Sequence, residues 1–578
     1  MNRLSRCFED WILMLIRNAL SALALFSMVA SAQADVADSF AGNYLASRTA
    51  GRLRDNIAAS DYLNAALGED PENPVLIERL FQTQLATGDL AKAEITASKV
   101  VKFNSQQRMA RIVLGLKEFK VQNFQAAREN FTEAAYTPVG ELTSALLSAW
   151  SYAGEGSMNA AMKELDKLDA QESFTNFKVL HAALISDFLG SGIRADAAYR
   201  KAYEQAGTSL RVVQAYGNFL ERNNRWTEAE KIYRGFLGNG QRNVLIEAAL
   251  GNGGPGKKPA AFVSSAGAGV GEALFSLAAA MNSEQSLDVA QLYAQLALMF
   301  NADQPVTQSL LGDIFTDMKS YQAAIDAFEH IPKDSPLRIY ADTEIAINFQ
   351  RLDKNTEAID RLKSVLDKEP NNLDGWTSLG NIYRVSDDNH NAVEAYTKAI
   401  SLLPALNNSN WQLYYNRGIA FDHLKNHEKS EADFRTALAI SADEPAILNY
   451  LGYSLIDRGQ KLDEAITMVK KAVDLRPNDG YIVDSLGWAY YTMGEYDQAV
   501  GYLERAVDLN PGDPIIAEHL GDAYWHTGRK TEAGFQYQHA KDNKPGAADL
   551  ARIEQKIKEG LIDPPKAKAA DAKPVVKP

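Results

Sequence analysis

The stretch Gly251-Asn-Gly-Gly-Pro-Gly256-Lys257-Lys258 opens like a phosphate-binding loop, GxxxxGK. That chemistry needs backbone amides curled around a phosphate and a Ser or Thr after the Lys to hold magnesium. Lys258 stands in that place, Pro259 sits where the helix should begin, and no strand pattern precedes the loop. The stretch therefore predicts no nucleotide site. His423 and His427, four apart among eight scattered histidines, fall near a turn between helices with no third ligand close by. Zinc takes three or four ligands, so no metal site is expected. No GxSxG, HExxH or paired-carboxylate pattern stands out, and the one cysteine, Cys7, lies at the extreme N-terminus. These residues predict a protein without enzymatic activity, cofactor or metal.

The elements behind these residues repeat every 34 positions. From Trp376 one copy reads Trp376, Leu379, Gly380, Tyr383, Ala392, Tyr396, Ala399, Pro404. From Gly480 the frame returns as Val483, Leu486, Gly487, Tyr490, Ala499, Leu503, Ala506, Pro511, and from Pro514 as Leu520, Gly521, Tyr524, Ala533, Tyr537, Ala540, Pro545. Such a period predicts a pair of antiparallel helices per copy. The first half keeps the step more faintly, placing Ala59, Ala93, Ala127, Ala161, Ala195 and Ala229 where Ala499 lies. At that position paired helices approach most closely and a small side chain is required.

The predicted organisation is all-α, about fourteen helix-turn-helix units in two arrays. An N-terminal array covers 40–237 and a C-terminal array 271–546, with a Gly-rich linker at 238–270 acting as a hinge or exposed loop. Gly238, Gly240, Gly251, Gly253, Gly254, Gly256, Gly267 and Gly269 crowd that linker, and glycine is costly inside helices. A capping helix is expected at 547–561 and a disordered Pro, Ala and Lys-rich tail at 562–578.

The 578 residues carry a net charge of −14, which argues against wholesale binding of nucleic acid or anionic lipid. Arg3, Arg6 and Arg17 precede the apolar run Ala19 to Ala30, and Ala32-Gln33-Ala34 offers a cleavage site, so residues 1–34 read as a signal peptide. The rival reading is a retained anchor extended by Trp11 to Ile16. Cleavage would remove Cys7 and leave a soluble periplasmic protein, free or peripheral to the outer membrane.

The repeat resembles the tetratricopeptide (TPR) pattern, which implies a superhelical solenoid with a concave groove that binds protein. The resemblance puts groove-facing residues one, four, eight and eleven or twelve positions after each start. In the C-terminal units these are Asn381, Arg384, Tyr415, Asp422, Asn449, Tyr453, Tyr481, Asp484, Trp488, Tyr491, Asp522, Trp525 and His526, with Trp488 and Trp525 foremost. Aromatics beside carboxylates and amides suit a peptide surface. A carboxylate clamp is incomplete: Asn381 and Asn416 match it, but Thr377, Ala446 and Tyr450 replace its lysines.

The segments Tyr450 to Gly459 and Asp484 to Tyr491 resemble TPR proteins of the proteobacterial envelope, some of them lipoprotein adaptors of carboxyl-terminal processing proteases. The resemblance implies a non-enzymatic scaffold whose partners are such a protease and peptidoglycan hydrolases. The chain departs from those lipoproteins at Ala34, where they carry a lipidated Cys. The alternative is a component of an exopolysaccharide or outer-membrane assembly machine.

Overall fold

A computed structural model describes residues 39–238, 242–302, 304–403 and 410–561. The signal reading at 1–34, the tail at 562–578, Gly240 of the Gly-rich stretch and Pro404 of the repeat frame lie outside them. Among the described residues the secondary structure is helical, without β-strand, and the helices form fourteen antiparallel pairs. The chain divides into two compact units, Met1–Arg361 and Leu362–Pro578.

Local chemistry fixes where the helices begin. Proline opens the helices Pro74–Ala86, Pro305–Asp317, Pro445–Asp457 and Pro514–His526, where its missing N–H has no partner to lose. Asp479 and Asp513 cap their helices by accepting from the next free backbone amides. Between the helices of most pairs the chain turns through one left-handed residue, and between Pro445–Asp457 and Leu462–Leu475 through two, Gly459 and Lys461. Gly494 and Gly528 supply the single residue at φ 81° and 82°.

Packing within a pair rests on small residues. The register alanines Ala59, Ala93, Ala127, Ala161, Ala195, Ala229 and Ala499 are all buried. In the second unit the inner helices are Leu373–Val385, Trp411–His423, Pro445–Asp457, Gly480–Thr492 and Pro514–His526. Each pairs with the helix after it, and the helix Ala547–Glu559 closes the last pair.

The first unit departs from the expected hinge. The stretch 238–270 is no break between arrays: it lies inside the first unit and includes the short helix Val244–Asn252 and the start of Ala266–Ser283. Ala266–Ser283 packs on Pro138–Gly154 and Thr175–Phe188, and the next helix, Leu287–Leu298, reaches Pro74–Ala86. The chain thus doubles back on its own earlier pairs. Thr143 and Tyr293 share a hydroxyl hydrogen bond of 2.9 Å, and Gln291 donates to the Ala86 carbonyl at 2.7 Å. Gly267 and Gly269 belong to the helix, because a Cβ at Gly269 would stand 2.3 Å from the Trp150 ring. Their helix cost is outweighed by the close approach they permit.

Two glycines of the second unit give opposite expectations for one substitution. Gly501 lies mid-helix with open space around it, so Gly501→Ala should stabilise by about 1 kcal/mol through helix propensity. A Cβ on Gly521 would lie 2.5 Å from the Tyr537 ring, so Gly521→Ala should destabilise by about 1–3 kcal/mol through overpacking. Urea melts of the two variants check the signs; equal shifts would refute the packing account.

Candidate protein-binding surface

On the inner helices Gly480–Thr492 and Pro514–His526 the side chains form a continuous stack of rings. Trp488 lies face to face with His519, centroids 4.0 Å apart, and with Tyr491 at 4.5 Å. Tyr491 meets His526 and Tyr496 edge-on, each at 5.4 Å. His526 and Tyr496 stack on one another at 4.4 Å. An open depression of about 680 Å³ adjoins this end, lined by Tyr496, Gln498, His526 and their turn neighbours.

The other end of the stack is anchored by charge. Asp484, buried in the preceding inner helix, takes the His519 Nδ1 at 2.9 Å. Burial works against a charged imidazole, but the Asp484 carboxylate, by its charge and its hydrogen bond, outweighs it and raises the His519 pKa. An imidazolium face to face with indole is also favoured by the ring quadrupole. His181 in the first unit shows the contrast. Completely buried, accepting from Trp150 Nε1 at 3.1 Å, it has its pKa pushed down to about 4 by burial and stays neutral.

The other expected groove residues go elsewhere. Glu518 and Asp522 are buried beneath the closing helix: Arg552 and Lys556 bind Glu518, and Lys556 binds Asp522 at 2.7 Å. Burial raises the Asp522 pKa against the pull of Lys556, while Arg552 and Lys556 hold Glu518 below its usual value despite burial. Trp525 sits against Gly560, where a Cβ would come within 2.0 Å of its ring, and the Lys530 ammonium lies 4.8 Å from its centroid. The part of this helix that carries Glu518, Asp522 and Trp525 is therefore covered by the chain itself. Asp522 and Trp525, expected in an open groove, are packed under the cap.

Several remaining polar positions tie one inner helix to the next. Asn381 accepts from Tyr396 at 2.7 Å and from Asn416 at 3.3 Å, so the two clamp-like asparagines bind each other. Asp422 takes His427 Nδ1 at 3.0 Å and the Ser454 hydroxyl at 3.3 Å. Tyr415 is half-buried among Trp411, Phe434 and Tyr450. Burial and the Asp484 charge push the Tyr453 phenol up to about 12. Arg384 Nε and Asn449 Oδ1 are buried atoms without a hydrogen-bond partner. Tyr481 stands at the start of its helix, 60% exposed.

The structure thus brings Asp484, Trp488, Tyr491 and His526 together and leaves Asn381, Arg384, Tyr415, Asn449 and Tyr453 along the earlier inner helices. It adds His519 and Tyr496, which the repeat positions do not single out. The sequence signal for His519 was its place 35 residues after Asp484, a register slip of one that sets the two opposite each other. His423 and His427 sit on successive helices and contact Asp387 and Asp422 respectively. Among the described residues no cluster of three or more His, Cys, Asp or Glu could hold a metal, and no helix is long and apolar enough to cross a membrane.

Comparison with known proteins identifies the repeat. Residues 373–405, 412–444 and 485–548 match tetratricopeptide-repeat family models. A TPR repeat-containing protein of Pseudomonas aeruginosa is 25% identical over 189 residues, 32% of this chain and 31% of that protein. Anaphase-promoting complex subunit 3 of Schizosaccharomyces pombe is 21% identical over 224 residues, 39% of this chain and 31% of that one. The chain spans about a third or less of the length of these curated relatives. Among solved structures, the APC/C hetero-tetramer Cut9-Hcn1 aligns over 92% of this chain and 98% of its own at 16% identity, TM-score 0.38. Yeast Tom70 aligns over 89% and 94% at 14% identity, TM-score 0.34. The fold is the tetratricopeptide solenoid expected from the 34-residue period.

The Asp484–His519 pair makes stability depend on pH. His519 has a folded pKa above its ordinary 6.5, so its contribution is complete below pH 6.5 and is lost as pH rises through the raised value. Denaturant midpoints should fall across that interval, and Asp484→Asn should flatten the fall. An unchanged profile in the variant would show that the pair carries no charge.

Proposed function

We propose that this protein is a non-enzymatic scaffold of the bacterial envelope that captures polypeptide on the inner helices of its second unit. The observation that carries the reading is the ring stack His519, Trp488, Tyr491, His526 and Tyr496, fixed at one end by Asp484. Stacked rings offer broad contact area with few rotors left to freeze, so little ordering entropy opposes binding. The tetratricopeptide repeats support protein binding as the general role. The leader-like residues 1–34 support export to the periplasm. The resemblance of the Tyr450 to Gly459 and Asp484 to Tyr491 segments to envelope adaptors supports a processing protease and peptidoglycan hydrolases as the partners.

Affinity capture from envelope extract with wild type and Trp488→Ala, read by mass spectrometry, tests both levels. Trp488→Ala should weaken the bound partner by about 2 kcal/mol, roughly thirty-fold, as loss of a central aromatic does. Trp488→Phe, which keeps a ring in the stack, should recover part of it. Equal recovery of the same proteins by wild type and Trp488→Ala would end the ring-stack reading. Loss of partners that include no protease or hydrolase would end only the narrower one.

A further inference from the structure

The first unit holds a chamber that the repeat alone would not make. Arg211, Gln214, Asn218 and Glu221 occupy, on the inner helix Leu210–Arg222, the four positions that Tyr481, Asp484, Trp488 and Tyr491 occupy on Gly480–Thr492. The helix that follows at the 34-residue step, Val244–Asn252, is only nine residues long. It and the Gly/Pro-rich loop after it fold over this face. Asn218 pins the loop, donating to the Ala260 carbonyl at 2.9 Å and accepting from the Phe262 amide at 3.1 Å. The result is a cavity of about 560 Å³, within the range of small-ligand sites.

Its chemistry is dipolar. Glu221 lines the cavity while only 6% exposed, and accepts from the Tyr233 hydroxyl at 2.7 Å. Burial raises the Glu221 pKa, so the carboxylate gains from any cation brought to it. Leu245, Ala248 and Phe262 supply an apolar wall. Lys257 and Lys258 also line the cavity; Lys257 donates to the Asn252 carbonyl at 2.9 Å, while Lys258 makes no ion pair among the described residues. The GxxxxGK stretch therefore meets the carbonyl end of a helix and a buried carboxylate, the reverse of what a phosphate needs.

We propose that this chamber binds a short zwitterionic peptide with an apolar side chain, its ammonium on Glu221, its carboxylate at Lys258 and its side chain on the Leu245 and Phe262 wall. The site is distinct from the ring stack of the second unit and does not depend on polypeptide capture there.

Calorimetric titration of the full chain with the dipeptide leucyl-leucine, its N-acetyl derivative, its C-terminal amide and ATP tests the assignment. The free dipeptide should bind, and acetylation or amidation should each weaken it at least tenfold. Glu221→Gln should weaken the free dipeptide tenfold and leave the acetylated one unaffected; its amide oxygen still accepts from Tyr233, and an unchanged melting temperature confirms folding. Lys258→Ala should act likewise on the free dipeptide but not on the amide. No heat from leucyl-leucine up to millimolar concentration, equal binding of the blocked forms, or tighter binding of ATP would each overturn the proposal.

Discussion

Six of the helix pairs are held by a ring seated on a glycine sixteen residues before it. Gly115 faces Phe131, Gly217 faces Tyr233, Gly312 faces Phe328, Gly380 faces Tyr396, Gly418 faces Phe434 and Gly521 faces Tyr537. In all six a Cβ on the glycine would lie 2.3 to 2.8 Å from a ring atom. The contact sets how near the two helices come, and so where the inner helix presents its next residues. When the ring is a tyrosine, its hydroxyl passes the glycine and meets a polar residue of the inner helix. Tyr233 donates to Glu221, Tyr396 to Asn381 and Tyr537 to Asp522. The phenylalanines at the same position have no hydroxyl to give. One steric constraint thus packs the pair and aims particular polar groups of the inner face.

How much of this was legible in the sequence depends on what a period can say. A spacing of 34 fixes which residue of a unit faces its partner, so Gly480 and Pro514 mark helix starts as expected. It does not say what covers a face. Gly267 and Gly269 looked like linker because glycine destabilises a helix in isolation, yet Trp150, more than a hundred residues earlier, needs the space at Gly269, and Phe300 lies close at Gly267. Asp522 and Trp525 looked like groove because the closing helix falls outside the repeat pattern. His519 and Tyr496 were overlooked because the first sits one residue off the inner-face positions and the second begins an outer helix. In each case a contact distant in sequence decided the outcome, and periodicity records only local geometry.

The first unit shows what happens when the inner face is given to the chain itself. Ala266–Ser283 lies on Pro138–Gly154, whose serines and threonine at 143, 144, 148 and 151 are all buried. Small hydroxyl residues suit such a site, because they let a helix approach closely and turn their polar atoms onto the backbone or a neighbour. Ser151 does so with the Leu147 carbonyl, and Thr143 with Val139 and Tyr293. The inner face there is core, while the sixth pair, covered by a short helix and a loop, keeps a cavity.

The inner face of the second unit follows the opposite rule at its ring stack. Its polar residues are spent either between neighbouring inner helices, as Asn381 and Asp422 are, or under the cap, as Glu518 and Asp522 are. That leaves aromatic faces as the remaining currency for recognition, and rings read apolar and planar groups with little sequence preference. Asp484 raises the His519 pKa at one end of this row, against Trp488, while Tyr491, Tyr496 and His526 continue the row toward the open depression. Asp484 is itself buried, so its carboxylate acts on the ring row through His519 and not by facing solvent.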